Sequence, residues 1–131
     1  MDNMKIEVSN GEILDKVSIL ELKIKNIDNK DKLINIEKEF YELSPLTEKL
    51  FDIYGSELQV KYLELANINN KLWIIEDNIR ECEKNKNFGE YFVKLARDVY
   101  ITNDKRCDVK KEINILTESG LIEEKSYQKY D

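Results

Sequence analysis

The sequence predicts an all-α protein, an elongated helical bundle organised around a long antiparallel helical hairpin. Three observations carry this. Four glycines and one proline in 131 residues leave too few turn formers for a sandwich or barrel. Hydrophobic residues at 41% and charged residues at 37% give the balance that amphipathic helices need. Apolar positions recur at steps of four and three through most of the chain, which is the period of one helix face. The length fits one helical domain over 1–131.

Lys5-Ile6-Glu7-Val8 alternates polar and apolar, a short strand pattern. Ser9-Asn10-Gly11-Glu12 follows as a capping box, in which the Ser9 hydroxyl and the Glu12 carboxylate satisfy orphan N–H groups of a helix start. Ile13, Val17, Leu20, Ile24 and Ile27 then predict a helix over about 11–29, stopped by Asn29-Lys30-Asp31. Leu33, Ile36, Phe40 and Leu43 predict a second helix over about 32–43, capped by Asp31 and ended by Ser44-Pro45. Pro45 suits the first position of a third helix, about 45–54, which Gly55-Ser56 bends or breaks.

A fourth helix, about 56–84, carries the stripe Leu58, Tyr62, Leu65, Ile68, Leu72, Ile75, Ile79, Cys82, a coiled-coil-like pattern. Lys84 to Asn87 form the loop. The last helix, about 88–118, runs Phe88, Phe92, Leu95, Val99, Thr102, Arg106, Val109, Ile113, Leu116. Gly120 is placed to take a left-handed stop, and residues 121–127 form an extended tail able to pair with residues 5–8 as a minimal two-stranded sheet.

Several activities are excluded by composition. Without histidine there is no Ser-His-Asp triad, Cys-His dyad or histidine-bound zinc. A net charge of -6 lacks the cationic footprint of a nucleic-acid binder. Cys82 and Cys107 form no C-x-x-C pair and suit free thiols in a reducing compartment, so a cytoplasmic location is expected. No apolar run reaches the length of a membrane span, and no cofactor is called for.

The chemistry lies where polar residues interrupt the apolar stripes. Asn69, Glu76 and Glu83 share one line on the fourth helix, Glu21 falls between Leu14 and Val17, and Thr102 and Arg106 hold consecutive seam positions. Buried carboxylates and guanidinium groups need partners, so these residues form either a polar layer that sets helix register or an interior site for a small anion. Arginine is scarce, three against eighteen lysines, and Arg80, Arg97 and Arg106 all lie on the last two helices. A guanidinium fork holds carboxylate or phosphate bidentately. In the hairpin, Asn69 is expected beside Thr102 and Asn103, and Glu21 within reach of Arg106. Glu12-x-x-Asp15, with Glu21 further on, and Glu76-Asp77, with Glu81, could supply carboxylates for a metal such as Mg²⁺. Trp73 in Lys71-Leu72-Trp73-Ile74-Ile75-Glu76-Asp77 needs cover on two sides, which points to self-association.

The stretches Ile6 to Lys16, Lys71 to Arg80, Leu95 to Arg106 and Glu123 to Tyr127 resemble those of a family of short bacterial and phage proteins known only as a domain of unknown function. The resemblance spans nearly the whole chain and implies a surface-polysaccharide or nucleotide-sugar context. It adds weight to Trp73, Glu76, Asp77, Arg80, Thr102, Asn103, Asp104 and Arg106. The expected function is a self-associating binding or assembly module, dimer favoured, whose interior cluster is structural or holds a small anion. The alternative is a metal-dependent all-α hydrolase of nucleotide-type substrates.

Overall fold

The computed structural model describes residues 2–130; Met1 and Asp131, the two ends of the predicted domain, lie outside the described residues. Three helices follow one another: α1 (Asn10–Asn26), α2 (Lys30–Lys84) and α3 (Glu90–Leu116). They form a helical bundle, and no strand occurs among the described residues. The sheet expected from residues 5–8 and 121–127 is therefore not formed. Glu7 and Val8 lie close to Ser119, Gly120 and Leu121, but no hydrogen bond of a ladder joins the two segments.

α2 replaces three predicted helices, because Pro45 does not stop it. A proline at 45 costs the carbonyl of Tyr41 its donor, and Tyr41 is exposed, so water can take that place. The Ser44 hydroxyl donates to the Phe40 carbonyl at 2.7 Å, and the Thr47 hydroxyl donates to the Ser44 carbonyl at 2.8 Å. The real interruption is Gly55, at φ 62° and ψ -142°, a combination open essentially to glycine. There the helix turns sharply. The rings of Phe51 and Tyr62 stand 5.4 Å apart edge to face, whereas eleven residues of straight helix would separate them by about 16 Å.

Ser9 caps α1 as predicted, its Oγ accepting from the Glu12 N–H at 3.1 Å, but the Glu12 carboxylate pairs with Lys110 instead of completing the capping box. Asn29, not Asp31, caps α2 and accepts from the Lys32 N–H. At the far ends, Lys86 and Glu118 hold the left-handed conformation, at φ 55° and 53°. Each makes the paired bonds of a Schellman motif: Asn87 N–H to Cys82 O and Lys86 N–H to Glu83 O, then Ser119 N–H to Asn114 O and Glu118 N–H to Ile115 O. Glu118 thus does the work expected of Gly120.

Two apolar cores result. Leu14, Leu58, Leu65, Val109 and Ile113 join all three helices, with Leu50, Phe51, Tyr54 and Tyr62 packed around them. A second core, Ile75, Cys82 and Leu95 with Ile79, Phe92 and Val99, is made by α2 and α3 alone. The chain therefore consists of a three-helix junction and a two-helix arm. No helix among the described residues is long and apolar enough to cross a membrane.

Candidate functional site

α1 meets α3 at very short range, and glycine makes this possible. A Cβ on Gly11 would stand 2.6 Å from the Lys110 carbonyl oxygen and 2.9 Å from Asn114 Oδ1. The first N–H groups of α1, which have no partner inside the helix, find them across this contact. Gly11 N–H donates to Asn114 Oδ1 at 2.7 Å and Asn10 N–H to Ser119 Oγ at 3.2 Å. Asn10 Nδ2 also donates to Thr117 Oγ1, and the Tyr54 hydroxyl donates to the Thr117 carbonyl, bringing α2 to the same point.

One turn further along α1 lies Asp15, only 1% exposed. Arg106 grips its carboxylate: Nε donates to Oδ1 at 3.0 Å and to Oδ2 at 3.2 Å, while Nη2 forms a close ion pair with Oδ2. Asn69 of α2 donates through Nδ2 to Asp15 Oδ1 at 2.8 Å and to Ser18 Oγ at 2.7 Å. The Ser18 hydroxyl in turn donates to the Asp15 backbone carbonyl. One carboxylate thus binds a side chain from each of the other two helices.

Lys110 extends the cluster. Its buried ammonium contacts Glu12 Oε2 at 2.6 Å, Asp15 Oδ2 at 3.6 Å and Glu123 Oε2 at 3.1 Å. Burial lowers its pKa, but the bonds to Glu12 and Glu123 outweigh that and leave it above the ordinary value. Arg106 is likewise held above its usual value, chiefly by its hydrogen bond to Asp15 and against the effect of burial. Among the described residues, no buried polar side-chain atom lacks a hydrogen-bond partner. A cleft of about 200 Å³ beside the cluster is lined by Asp15, Arg106, Lys16, Lys23, Glu12 and Glu39.

Several sequence candidates come together here and several do not. Asn69 and Arg106 belong to the cluster, and Asn103 supports it, accepting weakly from Arg106 Nη1 at 3.5 Å. Thr102 is buried nearby but makes no bond to Asn69, whose partners are Asp15 and Ser18. Glu21 is exposed and accepts from the Tyr62 hydroxyl at 2.8 Å, so Arg106 turns to Asp15 instead. Burial and then the Glu21 bond push the Tyr62 pKa upward.

The remaining candidates lie on the arm. Glu76 pairs with Arg80 at 3.6 Å on an open surface, Asp77 is exposed, and Trp73 is half-buried. The carboxylates considered for a metal are dispersed. Glu12 and Asp15 are bound by Lys110 and Arg106, and no group of three or more ligating side chains occurs among the described residues. Four partners were missed by sequence: Gly11, Ser18, Lys110 and Asn114. A signal existed, since Gly11, Asp15 and Ser18 repeat at four-three spacing, as do Arg106, Lys110, Asn114 and Thr117 at four, four and three.

The cluster is thus a buried Asp–Arg pair with amide and ammonium support inside a small helical fold. Over residues 4–130 the chain matches the family described as Family of unknown function (DUF6165), and it belongs to that family. No curated protein and no solved structure matches it.

Proposed function

We propose that this protein is a single-domain assembly module whose α2–α3 arm, a long antiparallel hairpin, pairs with the arm of a second copy. The observation that carries this is the arm's core, which only two helices build. A two-helix layer buries one side of each helix and leaves the other faces to find cover. The hydrogen bonds and ion pairs of α1 run along one face of the pair and, toward the arm tip, end at Asn69 and Arg106. Continued at helical spacing, that same face carries Trp73, Glu76 and Arg80 on α2 and Asn103 and Ala96 on α3, bordered by the core residues Val99 and Phe92.

Charge favours a second copy as the partner. Residues 70–105 hold seven basic side chains (Lys71, Arg80, Lys84, Lys86, Lys94, Arg97, Lys105) and seven acidic ones (Glu76, Asp77, Glu81, Glu83, Glu90, Asp98, Asp104). The whole chain carries -6, so two copies repel least where their arms meet. In this reading the Asp15–Arg106 cluster is a register device rather than an anion site, because the guanidinium fork is already occupied by a carboxylate of the same chain. Among the described residues, no assembled carboxylate set supports the hydrolase alternative. Within the surface-polysaccharide or nucleotide-sugar setting that the family resemblance implies, the module acts as a scaffold.

Sedimentation velocity from low micromolar to near-millimolar concentration tests this. The chain should pass from monomer to dimer, and Ala96→Lys, placed on the half-buried arm face, should hold it monomeric without loss of helicity. A wild-type chain that stays monomeric throughout, or an Ala96→Lys variant that associates normally, overturns the arm interface.

A further inference from the structure

The strand pattern at residues 4–8 is left unused by the fold. Met4, Ile6 and Val8 alternate with Lys5 and Glu7 in the sequence, so pairing as a strand would put the three apolar residues on one side; they are 91%, 82% and 44% exposed. Lys5 and Glu7 would then take the other side, and both are exposed. The backbone of residues 4–8 makes no hydrogen bond to any described residue. An apolar face of period two together with a row of N–H and C=O groups unbonded within the fold fits another strand, which pairs the backbone and covers the apolar face at once.

The order of charges says which strand. In an antiparallel pair of two identical segments centred on Ile6, residue 5 of each copy stands opposite residue 7 of the other, and residue 4 opposite residue 8. Lys5 then faces Glu7 of the second copy twice over, on one side of the ribbon. On the other side Met4 meets Val8 of the second copy and Ile6 meets its own counterpart. Every position is matched with its complement, which is what a two-fold symmetric contact demands. We infer that residues 4–8 form an intermolecular two-stranded antiparallel ribbon with the same residues of a second copy.

The surroundings suit such a ribbon. Its root is firm, because Ser9 caps α1 and is buried, and Gly11 is locked against α3. A two-stranded ribbon alone is marginal in water, and Leu121, 46% exposed and beside Glu7 and Val8, offers its apolar face a surface to pack on. The segment stands at the α1–α3 junction, whereas the arm tip lies at the other end of the 27-residue α3. The two contacts are therefore separate, and both together would link copies into a chain rather than close a dimer.

Charge exchange tests the ribbon without disturbing the folded helices. Amide hydrogen exchange of residues 4–8 is followed by NMR at rising concentration, in the Ala96→Lys background so that arm contacts do not contribute. Protection should grow by about tenfold or more as copies pair. Lys5→Glu alone and Glu7→Lys alone each set like charges opposite one another and should lose that protection, and an equimolar mixture of the two variants should restore it. Exchange of residues 4–8 that stays fast at every concentration, or a mixture no better protected than its components, overturns the ribbon and leaves the arm proposal untouched.

Discussion

Replacing Asp15 by asparagine changes almost no volume and strikes the centre of the buried cluster. The carboxylate accepts from Arg106 at both oxygens and from Asn69 at Oδ1, with Lys110 3.6 Å from Oδ2. An amide in its place must turn its NH₂ toward either Oδ1's donors or Oδ2's, and Arg106 Nε stands before both. One donor therefore meets another, and two cations, Arg106 and the buried Lys110, lose the charge between them. Breaking one partner of a buried pair costs about 3–5 kcal/mol. In a chain of this size that lowers the melting temperature by about 10 to 20 °C. Urea unfolding followed by circular dichroism measures it. The double variant Asp15→Leu/Arg106→Met, which removes both charges, should recover more than half of the loss, and the cycle should show coupling of at least about 1.5 kcal/mol. An Asp15→Asn variant within about 1 kcal/mol of wild type would refute the claim that this carboxylate holds the helices together.

Gly55→Ala should cost about 1–3 kcal/mol, purely through backbone strain, since nothing lies within 4 Å of where the new Cβ would sit; the urea midpoint reads it, and an unchanged midpoint would mean the turn is not held at that φ. Lys86→Gly should gain about 0.5–1 kcal/mol, because Lys86 occupies the left-handed position after α2 and its side chain is exposed; a lower midpoint would contradict this. Stability should fall as pH rises through 10 and above. The Tyr62 and Lys110 pKa values are raised on folding from 10.0 and 10.5, so their contribution is complete below those values and is lost above them, where the unfolded chain gives up its protons first. Urea midpoints between pH 8 and 11 should show a shallower decline for Tyr62→Phe than for wild type, and equal slopes would remove Tyr62 from the effect.

Legibility in the sequence followed the range of the interactions. The cap at Ser9, the seam from Leu58 to Cys82 and its partner from Phe92 to Leu116 involve residues three or four apart, and the helices appear where that period places them. Pro45 misled because a helix loses only one bond there, and an exposed carbonyl can bond water instead. The partner of Arg106 was out of reach for a different reason. Glu21 and Asp15 both lie on α1, and a helical wheel fixes angle along one helix but not which turn of α1 comes level with which turn of α3.

That level is set by Gly11. Its missing side chain lets α1 approach the Lys110 carbonyl, and this contact puts Asp15, not Glu21, in front of Arg106. The amino-acid order alone thus determined the helical class, most of the faces that pack and the presence of a polar interior, all consequences of periodicity within single helices. Only the tertiary structure decided the pairing of charges, the form of the turn expected at Gly55 and where α1 stops along the α2–α3 pair, because the pairings join residues 91 and 103 positions apart that no local pattern records.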